Sequence, residues 1–208
     1  MQEIEGKIIQ TEIEEIVDPL HTALVILGAQ NTAVDLIFNK DEFMTSLNSL
    51  VQSAREKKIS IFFSKMQYHP LKYQSPSWIY TSNKMITRPR SPSEQGLELA
   101  IEPAQDEIVI NMRGSALIID TGSIFIGTDF ERLVRNAGVN TLIFTGIATE
   151  LGIESNARES LNRDFYTVIA ADAVSSVDRE DHMRSLESLR KIINVISSKE
   201  LVNIWSKI

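Results

Sequence analysis

Residues 141–160 read TLIFTGIATELGIESNARES. The first six are a continuous apolar run closed by Gly146, which suits a strand buried on both faces. The polar and apolar residues that follow, over about 150–163, predict a helix. A strand that turns directly into a helix is where many enzymes place a nucleophile. Here the most useful position is Gly152, and the chain has no Cys at all.

The same alternation repeats on either side. TALVILGA (22–29), ISIFFSK (59–65), DEIVIN (106–111) and YTVIAA (166–171) are further strands, with a short one around Val195. DEFMTSLNSLVQSARE (41–56) has helical spacing, with Asp41 in its first turn. TDFERLVRNAG (128–138) predicts a helix with Thr128 as N-cap and Gly138 as C′ residue. REDHMRSLESLRKII (179–193) is a last long helix, and a closing helix ends near Trp205. Strands alternating with amphipathic helices predict a three-layer α/β/α sandwich with a mostly parallel sheet of about six strands. Ligands of such sheets bind outside the carboxyl ends of the strands. The loops after 22–29, 59–65, 106–111 and 141–146 are therefore the ones to inspect.

The 208 residues, 43% of them apolar, fit a single domain over 1–208. Residues 1–17 alternate Ile with Glu, so 1–19 reads as an N-terminal arm or edge strand. A formal net charge of −7 excludes a basic nucleic-acid footprint. No apolar run reaches the roughly 18 residues that span a bilayer, and the acidic N-terminus does not read as a signal peptide, so the expected location is cytoplasmic. Absence of Cys removes disulfides, thiolate metal sites and a Cys nucleophile together.

Several segments resemble one family in unbroken order over roughly 20–200. TALVILGAQN is similar to the first strand of the isochorismatase-like cysteine hydrolases, which include nicotinamidases, N-carbamoylsarcosine amidohydrolases and ureidoacrylate hydrolases. EPAQDEIVINMRGSAL resembles the family's strand that ends in Lys, and GVNTLIFTGIATELGIESNARES resembles its nucleophile segment. The resemblance implies a Cys at a helix N-terminus, an Asp that moves the proton, and a Lys that stabilises charge. It also implies an oxyanion hole at the Ala-Thr turn, beside a non-proline cis peptide. Carried over by motif, the Asp falls on Gly28, the Lys on Asn111 and the Cys on Gly152. The frame around them is kept in Gln30, Asn31, Gly146, Ile147, Ala148, Thr149, Glu154, Ser155 and Arg158. About eight residues, 118–125, are inserted relative to the family pattern beside the pocket, either filling it or making a subunit contact.

Alternative nucleophiles and bases are few. Ser155 lies one turn after Gly152, and a Ser is common there in active relatives, so it reads as structural. Glu150 reads as a polar residue facing solvent. His69 follows the second strand, but one His is not a metal site, and no metal or other cofactor is expected. His21 and His182 read as surface residues. Residues 66–105 hold five of the chain's prolines and form a long irregular excursion. Its Tyr68, Tyr73, Trp78 and Tyr80 suit either a small-molecule pocket or a dimer interface. Arg88 and Arg90 in the same excursion read as a solvated loop, with an anionic ligand as the alternative.

Two functions follow as expectations. The first is a family member without cysteine-hydrolase activity that binds a small molecule or serves as a structural, oligomeric partner. Its ligand-facing residues would be Gln30, Asn111, Arg113, Ala148, Thr149, Tyr68 and Trp78. The second is a hydrolase of an amide-like or enol-ether molecule with rewired chemistry at Glu150, Ser155, Asn111 and Arg113. The resemblance also implies a homo-oligomer, a dimer or tetramer.

Overall fold

Each apolar run becomes a strand of one sheet. The computed structural model describes residues 1–67, 70–77, 79–80, 93–113 and 122–208. Its strands are β1 (Gln2–Ile4), β2 (Lys7–Ile9), β3 (Thr22–Leu27), β4 (Ser60–Gln67), β5 (Ile108–Arg113), β6 (Thr141–Ile147), β7 (Tyr166–Ser175) and β8 (Asn194–Ile196). The main sheet has six strands in the order β5-β4-β3-β6-β7-β8, and every neighbouring pair is parallel. The described helices are α1 (Ile13–Ile16), α2 (Asn31–Val34), α3 (Lys40–Glu56), α4 (Phe130–Asn136), α5 (Glu154–Leu161), α6 (Arg179–Leu189) and α7 (Ser198–Ser206).

The central strands β3 and β6 are buried along their whole length, which explains their unbroken apolar runs. Leu24 and Ile26 face one core with Phe43, Leu47 and Leu50 of α3 and Leu201 and Trp205 of α7. Ala23, Val25 and Leu27 face the other, with Phe130 and Val134 of α4, Ile153 and Ala157 beside β6, and Leu186 and Leu189 of α6. Helices on both faces of the sheet make the three layers. Full burial of one such Leu or Phe stabilises by about 1.5–3 kcal/mol. The closing helix is tied down where Trp205 Nε1 donates to the Val17 carbonyl at 2.9 Å.

Local chemistry moves some boundaries. β5 begins two residues later than DEIVIN suggests, because Glu107 is committed to Arg55, at 2.8 and 2.9 Å, and to the Ala104 amide. α6 stops at Leu189, where the chain turns to enter β8. The N-cap of α4 is Asp129. Thr128, one residue earlier, still accepts the Phe130 amide at 3.2 Å, and Gly138 follows the helix at φ +74°. The N-terminal arm is not an edge strand of the main sheet: β1 and β2 pair with each other as an exposed antiparallel hairpin. Among the described residues no helix is long and apolar enough to cross a membrane.

From β3 the chain builds outward through β4 to β5. It then returns to β6, on the other side of β3, and builds outward to β8. The switch point lies between β3 and β6, whose ends pair Leu27 with Gly146.

Candidate functional site

The site is the rim formed by the ends of β3, β4, β5 and β6. β6 ends in a cis Ile147–Ala148 peptide, in agreement with the expectation from resemblance. A π-helical turn, Thr149–Ile153, then leads into α5, with the Ile153 amide reaching back to the Ala148 carbonyl at 3.0 Å. Ala148, Thr149 and Gly152 are all buried. β3 and β6 approach so closely here that a Cβ on Gly146 would overlap the Leu27 carbonyl.

Gly28 sits against this turn. Its φ is +58°, and a Cβ would lie 2.8 Å from the Ile147 carbonyl oxygen. Its amide donates to Ser64 Oγ at 3.0 Å. Only glycine takes this backbone conformation without cost, and here the space for a side chain is closed as well. Asn111 lies two strands away on β5, exposed, with Lys65 of β4 as its neighbour in register. Arg113 ends β5; its side chain lies outside the described residues, as do Tyr68, His69, Trp78, Arg88, Arg90 and the first half of the 118–125 insertion. Tyr73 and Tyr80 are exposed.

Gln30 is buried and braces the rim. Its Oε1 accepts the Met66 amide at 2.9 Å, and its Nε2 donates to the Leu97 carbonyl at 2.6 Å. One amide thus joins β3, β4 and the 95–99 segment.

The turn is fastened to α6 by a polar network that the sequence reading did not foresee. His182 is buried, not a surface residue, with its Nδ1 2.8 Å from Thr149 Oγ1 and its ring edge-on to Phe38. Burial lowers its pKa below the ordinary histidine value, assisted by Arg190 and Arg179. Glu150 turns inward instead of facing solvent. Its Oε1 accepts from Ser176 Oγ at 2.7 Å, and its buried Oε2 has no partner among the described residues. Burial raises its pKa; the Ser176 hydrogen bond opposes this, and Asp181 and Asp178 add to it. Glu154 accepts from Arg158, at 2.9 and 2.8 Å, and from Ser185 at 2.6 Å. Ser155 is half-buried and has no side-chain partner among the described residues. The sequence hid these pairings because α6 lies some 30 residues away in the chain.

The described part of the insertion packs inward. Ile124 is fully buried, and Phe125 meets Phe130 and Phe165. Asn156 fixes it to α5: its Oδ1 accepts the Ile124 amide at 2.8 Å, while its Nδ2 donates to the Gly152 carbonyl at 2.7 Å. Among the described residues no group of three His, Asp or Glu is arranged to hold a metal ion.

The sheet order and the strand-end rim define an α/β protein whose candidate site lies at the carboxyl ends of its parallel strands. Residues 22–200 match the Isochorismatase domain, and the chain belongs to that family. It is 26% identical over 182 residues to the ureidoacrylate amidohydrolase RutB of Pseudomonas savastanoi pv. phaseolicola, covering 74% of this chain and 71% of that protein. A shorter match, 39% identical over 80 residues, is to the uncharacterized isochorismatase family protein YecD of Escherichia coli O157:H7; it covers 38% of this chain and 43%, less than half, of that protein. The fold is shared with a cysteine hydrolase from Pseudomonas syringae pv. phaseolicola (TM-score 0.76, 17% identity, 92% of this chain and 95% of that one). It is also shared with the pyrazinamidase of Pyrococcus horikoshii in complex with zinc (TM-score 0.71, 22% identity, 85% and 99%).

Proposed function

We propose that this chain is an isochorismatase-family protein that does not carry out cysteine hydrolysis and instead binds a small molecule at the strand-end rim, as a homo-oligomer. The observation that carries the reading is Gly28. Where the family resemblance expects the proton-moving Asp, the backbone stands at φ +58° with the Ile147 carbonyl 2.8 Å from any Cβ. A side chain at this position would require the backbone or the Ile147 carbonyl to shift, which supports the reading. Asn111 and Gly152 supply neither charge nor nucleophile at the other two positions. Gln30, Ala148 and Thr149 then belong to the frame that holds the rim. Asn111, Arg113, Tyr68 and Trp78 are the residues left to meet a ligand.

The test is turnover by purified protein of ureidoacrylate and pyrazinamide, the substrates that the relatives' names indicate. The expected rate is background, for the natural chain and for the triple variant Gly28→Asp, Asn111→Lys, Gly152→Cys alike. One observation favours the second reading, a rewired hydrolase: a carboxyl with raised pKa at Glu150, two residues before Gly152, suits general acid–base work. Hydrolysis by the natural chain that disappears in Glu150→Ala or Ser155→Ala would establish that reading and defeat the first.

A further inference from the structure

Lys65 of β4 and Asn111 of β5 are neighbours in register, and Gly28 follows the end of β3, the next strand of the sheet. Phe63 pairs with Ile26 at the end of the β3–β4 ladder and Lys65 with Asn111, while the Gly28 amide donates to Ser64, the residue before Lys65. Parity puts Lys65 and Asn111 on one face. Ile61 and Phe63 of β4, with Leu24 and Ile26 of β3, face the core under α3, and Ile110 and Met112 of β5 face the opposite one. The two backbones stand one strand spacing apart, about 4.8 Å.

Lys65 is half-buried, and among the described residues its side chain makes no hydrogen bond or ion pair. The partly buried arginines behave otherwise: Arg158 is held by Glu154, and Arg163 by Glu131 and Glu159. Asn111 brings no negative charge to Lys65. A partly desolvated ammonium without a counter-ion is unfavourable and favours an anion beside it. One positive charge next to one amide N–H donor, on Asn111, matches the single charge and two oxygens of a carboxylate.

We propose that Lys65 is the anion-recognising residue of the rim and that the ligand is a small molecule bearing a carboxylate. The proposal rests on the small-molecule reading and gives it a chemical class. The lysine is one strand removed from the position at which the family resemblance expects one, so it recognises charge from a different side of the rim.

The experiment is calorimetric titration of the full chain with nicotinate and benzoate, against their uncharged amides nicotinamide and benzamide. The acids are expected to bind and the amides to bind at least about tenfold more weakly. Lys65→Met should lose at least about tenfold in acid affinity with an unchanged melting temperature, and Lys65→Arg should keep most of it. Acid binding that survives Lys65→Met, amides that bind as well as acids, or no acid binding at all would each overturn the proposal. Turnover of ureidoacrylate would defeat the non-hydrolytic reading while leaving lysine-dependent acid binding intact, so the two failures are separable.

Discussion

At Gly28 two constraints act on one residue. A positive φ costs an L-residue about 1–2 kcal/mol, and the Ile147 carbonyl at 2.8 Å adds steric repulsion. Gly28→Ala is therefore expected to lower unfolding free energy by about 2 kcal/mol or more in urea denaturation. A loss under 0.5 kcal/mol would show that the rim has room for a side chain. Glu150 and His182 make opposite predictions in pH. Glu150's folded pKa is raised above its unfolded value, so the folded state prefers the protonated carboxyl. Its contribution is fully present below the unfolded value of 4.5 and is lost as pH rises through the folded pKa. Glu150→Gln keeps an oxygen for Ser176 and is expected to raise Tm by a few degrees at pH 7.5, with no gain at pH 4. His182's folded pKa is lowered, so its contribution is present above the unfolded value of 6.5 and is lost as pH falls from there toward the folded pKa. His182→Gln should flatten the fall in Tm between pH 6.5 and pH 5; an unchanged slope would place the loss elsewhere.

At the scale of elements, the helix after β6 is held from two sides. α6 grips its first turn through His182 and Ser185, and the insertion grips it through Asn156. Asn156 is fully buried, and removing its amide leaves the Ile124 amide and the Gly152 carbonyl without that partner. Asn156→Ala is expected to cost about 2–4 kcal/mol, measured by chemical denaturation, and to increase hydrogen exchange at Ile124. The strands and most helices were legible in the sequence because their apolar runs and helical stripes are local properties. α3 and β6 lie within a residue or so of their predicted bounds. The start of β5 was not legible, because it is set by Glu107 reaching Arg55, 52 residues away. The same limit hid the roles of His182 and Glu150, whose partners lie on other elements.

For the whole molecule, the exposed edge strand β5 presents Ile108 and Val109, with Ile126 66% exposed nearby. Among the described residues no strand pairs with the outer edge of β5, and an apolar sheet edge is a site for association. Sedimentation velocity is expected to give a dimer or larger species that Ile126→Glu shifts toward monomer; a monomeric natural chain would remove the oligomer from the proposed function. The sequence by itself determined the α/β class, the strand-to-helix turn at 141–160 and the absence of a cysteine nucleophile, because periodicity and composition are carried by the chain without its neighbours. The tertiary structure decided that a carbonyl closes the space at Gly28, that Glu150 and His182 are turned inward, and that Lys65 stands beside Asn111. Those properties depend on which surfaces of distant segments meet, and packing of the two cores sets that meeting.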